Sequence, residues 1–264
     1  MTDRTFVPRE SVADALGAAE IARALAAAGS AVTRNGSRGL LWAEPMVELE
    51  RDGHRTAYGP LSPDATDALE AHELGPVEDL LARQTRVIFG TCGAYAATDL
   101  EAYRANGGYR TLETGPQRIL DEVITAGLRG YGGAGFPAGR KWQTAAETEA
   151  AQKYVVANAD EGDSGTFADR LLMEGDPFLL LEGMQLTGRA IGATRGVIYL
   201  LSEYPLAADV LSQAIDFARA DGVLGEDFDV ELFVGAGAYV CGEATALLES
   251  LEGKRGEVRT CLLY

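Results

Sequence analysis

The chain has 264 residues, 47% of them apolar, which is enough for one large domain or two modest ones. Its formal net charge of −17 argues against a nucleic-acid-binding protein, because no surplus of Lys and Arg is present to neutralise phosphates. No apolar run has the length of a membrane span, and the first ten residues lack the apolar core of a signal peptide. These features predict a cytoplasmic protein.

The cysteines and histidines indicate no metal site. Cys92, Cys241 and Cys261 are odd in number and share no CxxC spacing, which argues against a disulfide framework and against a self-contained zinc or iron–sulfur motif. The two histidines, His54 and His72, are too few for a histidine-rich site. We therefore predict no bound metal.

Residues 1–75 are predicted to form a small α/β domain. The predicted strands lie near residues 5–7, 31–34, 46–50 and 54–58, and the predicted helices lie near residues 11–28 and 62–72. The order of these elements along the chain resembles a thioredoxin-like domain, and Pro45 stands where that fold often carries a cis-proline. Because the region contains no cysteine, we interpret it as a docking or packing domain without a thiol or iron–sulfur role.

Residues 76–127 are predicted to be a mainly helical connection. Helices are expected over residues 76–83, 98–106 and 116–127, and a short strand over residues 87–90. The last of these helices begins at a proline and ends at a glycine, which is the usual asymmetry of helix ends.

A glycine-rich stretch, residues 128–142 (LRGYGGAGFPAGRKW), follows and is called the first glycine loop. Its five glycines let the backbone approach a ligand closely and adopt positive φ. Consecutive exposed N–H groups in such a loop form a concavity suited to a phosphate or a flat polar ring. Taken alone, the stretch is equally compatible with a flexible surface connection.

An acidic turn, residues 158–166 (NADEGDSGT), follows a strand predicted over residues 154–157. Open α/β sheets bind ligands at the carboxyl ends of their strands, where this turn would lie. The alternatives are an acidic surface turn or a calcium loop, and the DxDxDG spacing of an EF-hand is missing.

The remaining elements predict a mainly parallel sheet. A buried helix is expected over residues 176–191, and the strand–helix–strand–helix pattern that follows occupies residues 196–201, 205–220, 228–234 and 244–251. A second glycine loop, residues 235–243 (GAGAYVCGE), lies between the last strand and the last helix. Two glycine loops and one acidic turn, each beside a predicted strand, indicate a ligand site.

Four ordered motifs resemble the flavin-carrying, NADH-binding subunit of respiratory complex I and its relatives in NAD-reducing hydrogenases and NAD-dependent formate dehydrogenases. They are GLRGYGGAGFPAGRKW, KYVVANADEGDSGTFADR, DPFLLLEGMQLTGRAIGA and GAGAYVCGEATALLESLEGKRG. The NADEGDSGTFADR motif and the cysteine-free N-terminal domain resemble most closely the beta subunit of soluble molybdenum formate dehydrogenase. The resemblance implies an FMN/NAD(H)-binding domain over residues 128–264, after the thioredoxin-like domain and the helical connection.

The resemblance implies FMN held by both glycine loops. The residues implied for the flavin and its phosphate are Gly130, Gly132, Gly133 and Lys141. Those implied for the flavin and its ribityl hydroxyls are Asn158, Asp160 and Glu161. Those implied to close the site from the second glycine loop are Tyr239, Gly242 and Glu243. No catalytic acid or base is implied, because hydride passes directly between nicotinamide and flavin.

The resemblance also implies NAD(H) stacked on the flavin, with Phe136 against the adenine and Asp163 on the nicotinamide side. Two positions depart from the family pattern. Tyr131 replaces a common Arg, so one cation near the anionic ligands is missing. Ala244 stands where the family usually has a second Glu, whose carboxylate would repel a 2′-phosphate. We hypothesise weaker NADH binding and weaker rejection of NADPH.

The resemblance runs through Arg259 and stops before residues 260–264. Relatives continue with further flavin-site residues, a β-grasp domain and a helical domain that binds a [4Fe–4S] cluster. We interpret the chain as a truncated or frameshifted reading, with a natural short paralogue as the alternative.

The leading hypothesis is a diaphorase module, an FMN-dependent NAD(H) oxidoreductase in a formate dehydrogenase- or complex I-like assembly with iron–sulfur and molybdenum-bearing subunits. One alternative is an inactive binding or assembly piece. A second is a nucleotide-binding α/β protein without flavin.

Overall fold

The computed structural model describes residues 4–259, so Cys261 and the segment 260–264 lie outside the described residues. The chain is a mixed α/β protein and divides into two compact units. The first unit contains residues 4–106 and 168–177, and the second contains residues 107–167 and 178–259.

The described chain contains both strands and helices. The strands are β1 (Arg4–Pro8), β2 (Ala31–Asn35), β3 (Val47–Arg51), β4 (His54–Tyr58), β5 (Glu73–Pro76), β6 (Tyr154–Ala159), β7 (Arg195–Leu200) and β8 (Asp229–Val234). The helices are α1 (Ser11–Ala15), α2 (Ala18–Ala27), α3 (Val77–Leu81), α4 (Leu100–Ala105), α5 (Pro116–Thr125), α6 (Ala138–Glu147), α7 (Ala168–Gly175), α8 (Pro177–Ile191), α9 (Pro205–Ala220) and α10 (Ala244–Leu251). Short 3₁₀ helices occupy Leu41–Ala43, Pro63–His72 and Tyr239–Gly242.

The first unit contains a five-stranded sheet in the order β2-β1-β3-β4-β5. Strands β1 and β2 are parallel, and the other neighbours are antiparallel. The four strands predicted for this region are present, β5 is an addition, and the Glu44–Pro45 peptide bond is cis. Helix α2 packs Ile21 and Leu25 into a core shared with Val47 on β3.

Three predictions in the first unit are wrong. The helix predicted over residues 11–28 is broken at Gly17, whose φ of 106° is left-handed and ends α1 before α2 begins. The helix predicted over residues 62–72 is a 3₁₀ helix instead. The strand predicted over residues 87–90 is a turn, because Val87 is 81% exposed and its carbonyl pairs with the N–H three residues on.

Buried charges join α7 to α1 inside the first unit. Glu10 is fully buried, caps α1 with Oε2 and accepts a hydrogen bond from Arg170 of α7 through Oε1 at 3.0 Å. Ser11 donates to Glu174 of α7 from its backbone N–H at 2.9 Å and from Oγ at 2.6 Å. These bonds give the buried carboxylates partners, without which their burial would be costly. They explain why a segment so distant in sequence belongs to the first unit.

The second unit contains a parallel three-stranded sheet in the order β6-β7-β8. The register aligns Ala159 with Leu200 and Leu200 with Val234, so the three strands end level with one another. The predicted parallel sheet is therefore confirmed. The loops after these strands leave the same edge and can share one site.

Helices α6 and α7 were not expected from the sequence. The glycines and proline before residue 138 favoured a loop through residue 142, whereas α6 already begins at Ala138.

Among the helices within residues 4–259, none combines the length and the apolar character needed to cross a lipid bilayer.

Candidate functional site

The first glycine loop is folded back on itself between α5 and α6. The Gly130 N–H donates to the Phe136 carbonyl at 3.0 Å, and the Ala138 N–H donates to the Leu128 carbonyl at 2.8 Å. Gly133 has a φ of 101°, which an L side chain rarely adopts. A Cβ added at Gly133 would meet nothing within 4 Å, so the backbone is open to a ligand here.

Two other predicted residues of this loop are exposed. Lys141 lies in the first turn of α6 rather than in a loop, and Phe136 is half exposed just before that helix. Among the described residues, the hydrogen bonds of this loop run within the loop itself and into the adjoining helices α5 and α6. The approach of Gly130, Gly132 and Lys141 to a common ligand therefore stays a prediction.

The acidic turn and the second glycine loop meet at the carboxyl edge of the β6-β7-β8 sheet. Asn158 donates from Nδ2 to the Gly242 carbonyl at 2.9 Å, and Tyr239 donates from its hydroxyl to Asp163 Oδ1 at 3.2 Å. A Cβ added at Gly162 would lie 2.9 Å from the Tyr239 ring. Together these contacts form what we call the sheet-edge cluster, residues 158–163 and 239–243.

Asp160 is the buried carboxylate of the sheet-edge cluster. Asp160 is 6% exposed. Its Oδ2 has no hydrogen-bond partner within residues 4–259. A Cβ added at Gly242 would lie 3.3 Å from the Asp160 carbonyl oxygen and 3.9 Å from Oδ2. Burial, together with the charge of Glu203, raises the pKa of Asp160 above its usual value. A buried acceptor at this edge of the sheet is available to a donor from a ligand.

Glu243 caps α10 in addition to its predicted ligand role. Its Oε2 accepts hydrogen bonds from the backbone N–H groups of Thr245 and Ala246, each at 2.9 Å. The Thr245 hydroxyl and these two N–H groups lower the pKa of Glu243. Ala244 is the exposed first residue of α10.

A third loop at the same edge was missed from the sequence. Residues 201–204, which follow the central strand β7, are called the middle loop. Tyr204 donates from its hydroxyl to Glu161 Oε2 at 3.0 Å. The signal that could have found it is the LSEYP stretch after an apolar strand, because the loop that follows a central strand lies between the loops of its neighbours.

Two cavities lie outside the sheet-edge cluster. A cavity of about 160 Å³ between α5 and α6 is lined by the first glycine loop at Leu128 and Pro137, among others. A larger cavity of about 440 Å³ belongs to the first unit, between strands β3 and β4 and residues 66–71.

The donors and acceptors of the second unit suit a phosphorylated flavin. Open glycine N–H groups and a lysine suit phosphate, while carboxylates and a carboxamide suit sugar hydroxyls and ring nitrogens. The acceptor that calls for such a hydroxyl or ring N–H is Asp160 Oδ2. The residues present therefore fit FMN.

Fold and site together define an α/β ligand-binding protein whose site lies at the carboxyl edge of a parallel sheet. Residues 123–261, more than half of the chain, match the family described as the Nuo51 FMN-binding domain. The chain belongs to this family. The predicted resemblance to the flavin-carrying component of complex I is thereby confirmed.

Individual relatives agree with this assignment. The NADP-reducing hydrogenase subunit HndC of Solidesulfovibrio fructosivorans is 50% identical over 186 residues, covering 66% of this chain and 38% of the relative. The mitochondrial NADH-ubiquinone oxidoreductase 51 kDa subunit of Neurospora crassa is 43% identical over 190 residues, covering 67% of this chain and 38% of the relative. A crystal structure of an NAD⁺-reducing [NiFe]-hydrogenase in its H₂-reduced state is 30% identical, with a TM-score of 0.56 over 99% of this chain and 48% of that one. The chain spans less than half the length of these relatives.

Proposed function

We propose that this chain is a diaphorase module, an FMN-dependent oxidoreductase that passes hydride between NAD(H) and flavin. The observation that carries the proposal is the sheet-edge cluster, in which a buried carboxylate oxygen of Asp160 is left for a ligand donor. Membership of the Nuo51 FMN-binding domain family supports FMN as that ligand.

The proposed residue roles follow the site geometry. Asn158, Asp160 and Glu161 bind the flavin and its ribityl hydroxyls at the sheet edge, and Tyr239 closes this side. The open backbone of the first glycine loop receives the flavin, with Lys141 as a point charge for the phosphate.

The chemistry needs positioning rather than a catalytic acid or base. FMN supplies a ring that accepts or returns hydride, and the chain orients the two rings and excludes water between them. Phe136 and Asp163 are proposed to orient the nucleotide; both are exposed enough to contact it.

A visible absorption spectrum of the purified chain with added FMN, before and after anaerobic NADH, tests the proposal. We expect a bound-flavin spectrum that bleaches. Flavin that washes away would contradict the proposal and favour a binding or assembly piece. NADH binding without flavin would favour the simple nucleotide-binding alternative.

We also propose that Ala244 weakens the rejection of NADPH. The position is exposed at the start of α10, and the 50% identical HndC is named as a subunit of an NADP-reducing hydrogenase. Replacing Ala244 by Glu should raise the NADH/NADPH ratio of kcat/KM about tenfold, through repulsion of the 2′-phosphate. A wild-type NADH/NADPH ratio of kcat/KM as high as that of Ala244→Glu would contradict this proposal.

The finer family placement is likewise a proposal. The NADEGDSGTFADR motif supports a formate dehydrogenase beta subunit that works in the cytoplasm with iron–sulfur and molybdenum-bearing subunits. The sheet order β2-β1-β3-β4, with one parallel and two antiparallel pairings, supports a thioredoxin-like first unit. Copurification of a molybdenum subunit and formate-driven NAD⁺ reduction by the purified complex test the assembly.

A further inference from the structure

The middle loop occupies the central position of the site edge. Strand β7 lies between β6 and β8, and its end is tied to both neighbouring loops. The Leu201 N–H donates to the Ala159 carbonyl at 3.1 Å, and the Gly235 N–H donates to the Leu200 carbonyl at 2.8 Å. The middle loop therefore begins between the acidic turn and the second glycine loop.

Tyr204 is the buried aromatic side chain of the middle loop. The residue is 5% exposed, and its backbone N–H donates to the Leu201 carbonyl at 3.2 Å. Its own carbonyl accepts from the Ala208 N–H at 3.0 Å, in the first turn of α9. Pro205, at the start of that helix, restricts the backbone of Tyr204 further. The phenol is therefore presented from a rigid position.

The hydroxyl of Tyr204 donates to Glu161 Oε2 at 3.0 Å. Glu161 lies on the acidic turn, one residue after the buried Asp160. An ionised carboxylate has about four lone-pair sites, so it can accept from a phenol and from a ligand hydroxyl at the same time. A donor fixed on one oxygen sets the plane of the carboxylate and so the direction of its remaining lone pairs.

We propose that Tyr204 is a positioning residue that orients the Glu161 carboxylate toward the ribityl hydroxyls of FMN. This inference rests on the proposed function and adds a residue from outside the four family-like motifs. Tyr204 does not touch the flavin; it acts through Glu161. Its phenol holds the Glu161 side chain in place before FMN binds, so less conformational entropy of Glu161 is lost on binding.

The experiment is a double-mutant cycle on FMN affinity, measured by quenching of flavin fluorescence for wild type, Tyr204→Phe, Glu161→Gln and the double variant. The phenylalanine keeps the buried ring and removes only the hydroxyl, so the fold is retained. Because this hydrogen bond is already formed before FMN binds, its loss affects binding only through the ordering of Glu161, so Tyr204→Phe should weaken FMN binding about three- to tenfold. The double variant should bind FMN within about twofold of Glu161→Gln, because coupled sites are not additive.

Tyr58→Phe is the matched control, since Tyr58 is a 7% exposed tyrosine of the first unit. It should leave FMN affinity unchanged. With FMN in excess, the kcat for NADH-dependent ferricyanide reduction by Tyr204→Phe should return to the wild-type value. A general loss of packing would instead lower kcat at every FMN concentration and lower the thermal midpoint.

The outcomes separate this inference from the proposed function. The positioning role alone would be overturned if wild type and Tyr204→Phe bound FMN equally well. It would also be overturned if the losses of FMN affinity in the cycle were additive. Wild type that binds no FMN would overturn the proposed function and this inference with it.

Discussion

The sheet-edge cluster and the first glycine loop are built by different means, although both are predicted to hold the same cofactor. In the sheet-edge cluster, parallel strands in register bring the acidic turn and the second glycine loop within hydrogen-bond distance. The first glycine loop joins two helices, and its hydrogen bonds among the described residues are local. One half of the site is preorganised by the sheet, and the other half offers an open backbone.

The glycines of the two loops serve correspondingly different purposes. At Gly235 an added Cβ would lie 2.8 Å from the Tyr199 hydroxyl, and at Gly242 it would lie 3.3 Å from the Asp160 carbonyl oxygen, so both positions are tightly packed. At Gly132 and Gly133 an added Cβ would meet open space. Close packing accounts for glycine at position 235, and a φ of 101° accounts for it at Gly133, whereas no described residue packs against Gly132. Gly132 is therefore the position at which we expect the close approach of a ligand.

The largest expected effect is the difference in the free energy of unfolding between Gly235→Ala and Gly132→Ala. The new methyl of Gly235→Ala would lie 2.8 Å from the hydroxyl of Tyr199, which is 1% exposed and cannot move aside. Overpacking of this kind should lower the free energy of unfolding by about 1–3 kcal/mol. Gly132→Ala should change it by less than about 0.5 kcal/mol, since nothing is touched.

Urea unfolding of both variants measures this difference, and FMN titration completes the comparison. Gly132→Ala should bind FMN more weakly despite its unchanged stability. Equal losses of stability in the two variants would remove the distinction between the packed loop and the open one.

The sequence predicted the strands and helices of the second unit well, because residues that start or end helices stand close to their bounds. The predicted helix bounds at Pro205–Ala220 and Ala244–Leu251 coincide with α9 and α10. Helix α9 has a proline at its start and a glycine soon after its end, and α10 has Gly253 soon after its end. Helix α6 was missed because its first turn directly follows the glycines and proline of the first glycine loop.

The side-chain contacts within the site could not be predicted from the amino-acid sequence. The motif resemblance named Glu243 as a ligand residue, and only the structure reveals it as the cap of α10. Tyr204 belongs to no glycine loop and no acidic run, and its bond to Glu161 spans 43 residues of sequence. Such pairs depend on strand order and register, which local patterns leave open.

Asp160→Asn sharpens the comparison on the sheet-edge side. Because burial raises the pKa of Asp160, its ionisation lowers the free energy of unfolding as pH rises above about 3.8 toward the folded-state pKa. The asparagine cannot ionise, so this loss should be absent, and at pH 7 the variant should be more stable than wild type. FMN binding should nevertheless weaken about tenfold, because a charged acceptor is replaced by a neutral one.

Thermal unfolding between pH 3 and pH 7 and FMN titration at pH 7 measure the two effects. Asp163→Asn, at an exposed carboxylate of the same turn, controls for the loss of one negative charge. An Asp160→Asn variant that is both less stable and equal in FMN affinity would mean that the buried carboxylate has only a structural role.

The smallest effect concerns the support beneath the second glycine loop. Tyr199 stacks on Phe233 at 5.4 Å, and its hydroxyl donates to Ser250 Oγ of α10 at 2.9 Å. Tyr199→Phe and Ser250→Ala should each lower the free energy of unfolding by about 1 kcal/mol, the usual net value of one hydrogen bond. The double variant should lose little more than either single one, because both changes remove the same bond. Additive losses would show that the bond does not tie α10 to β7, and that the second glycine loop is held by packing around Gly235 alone.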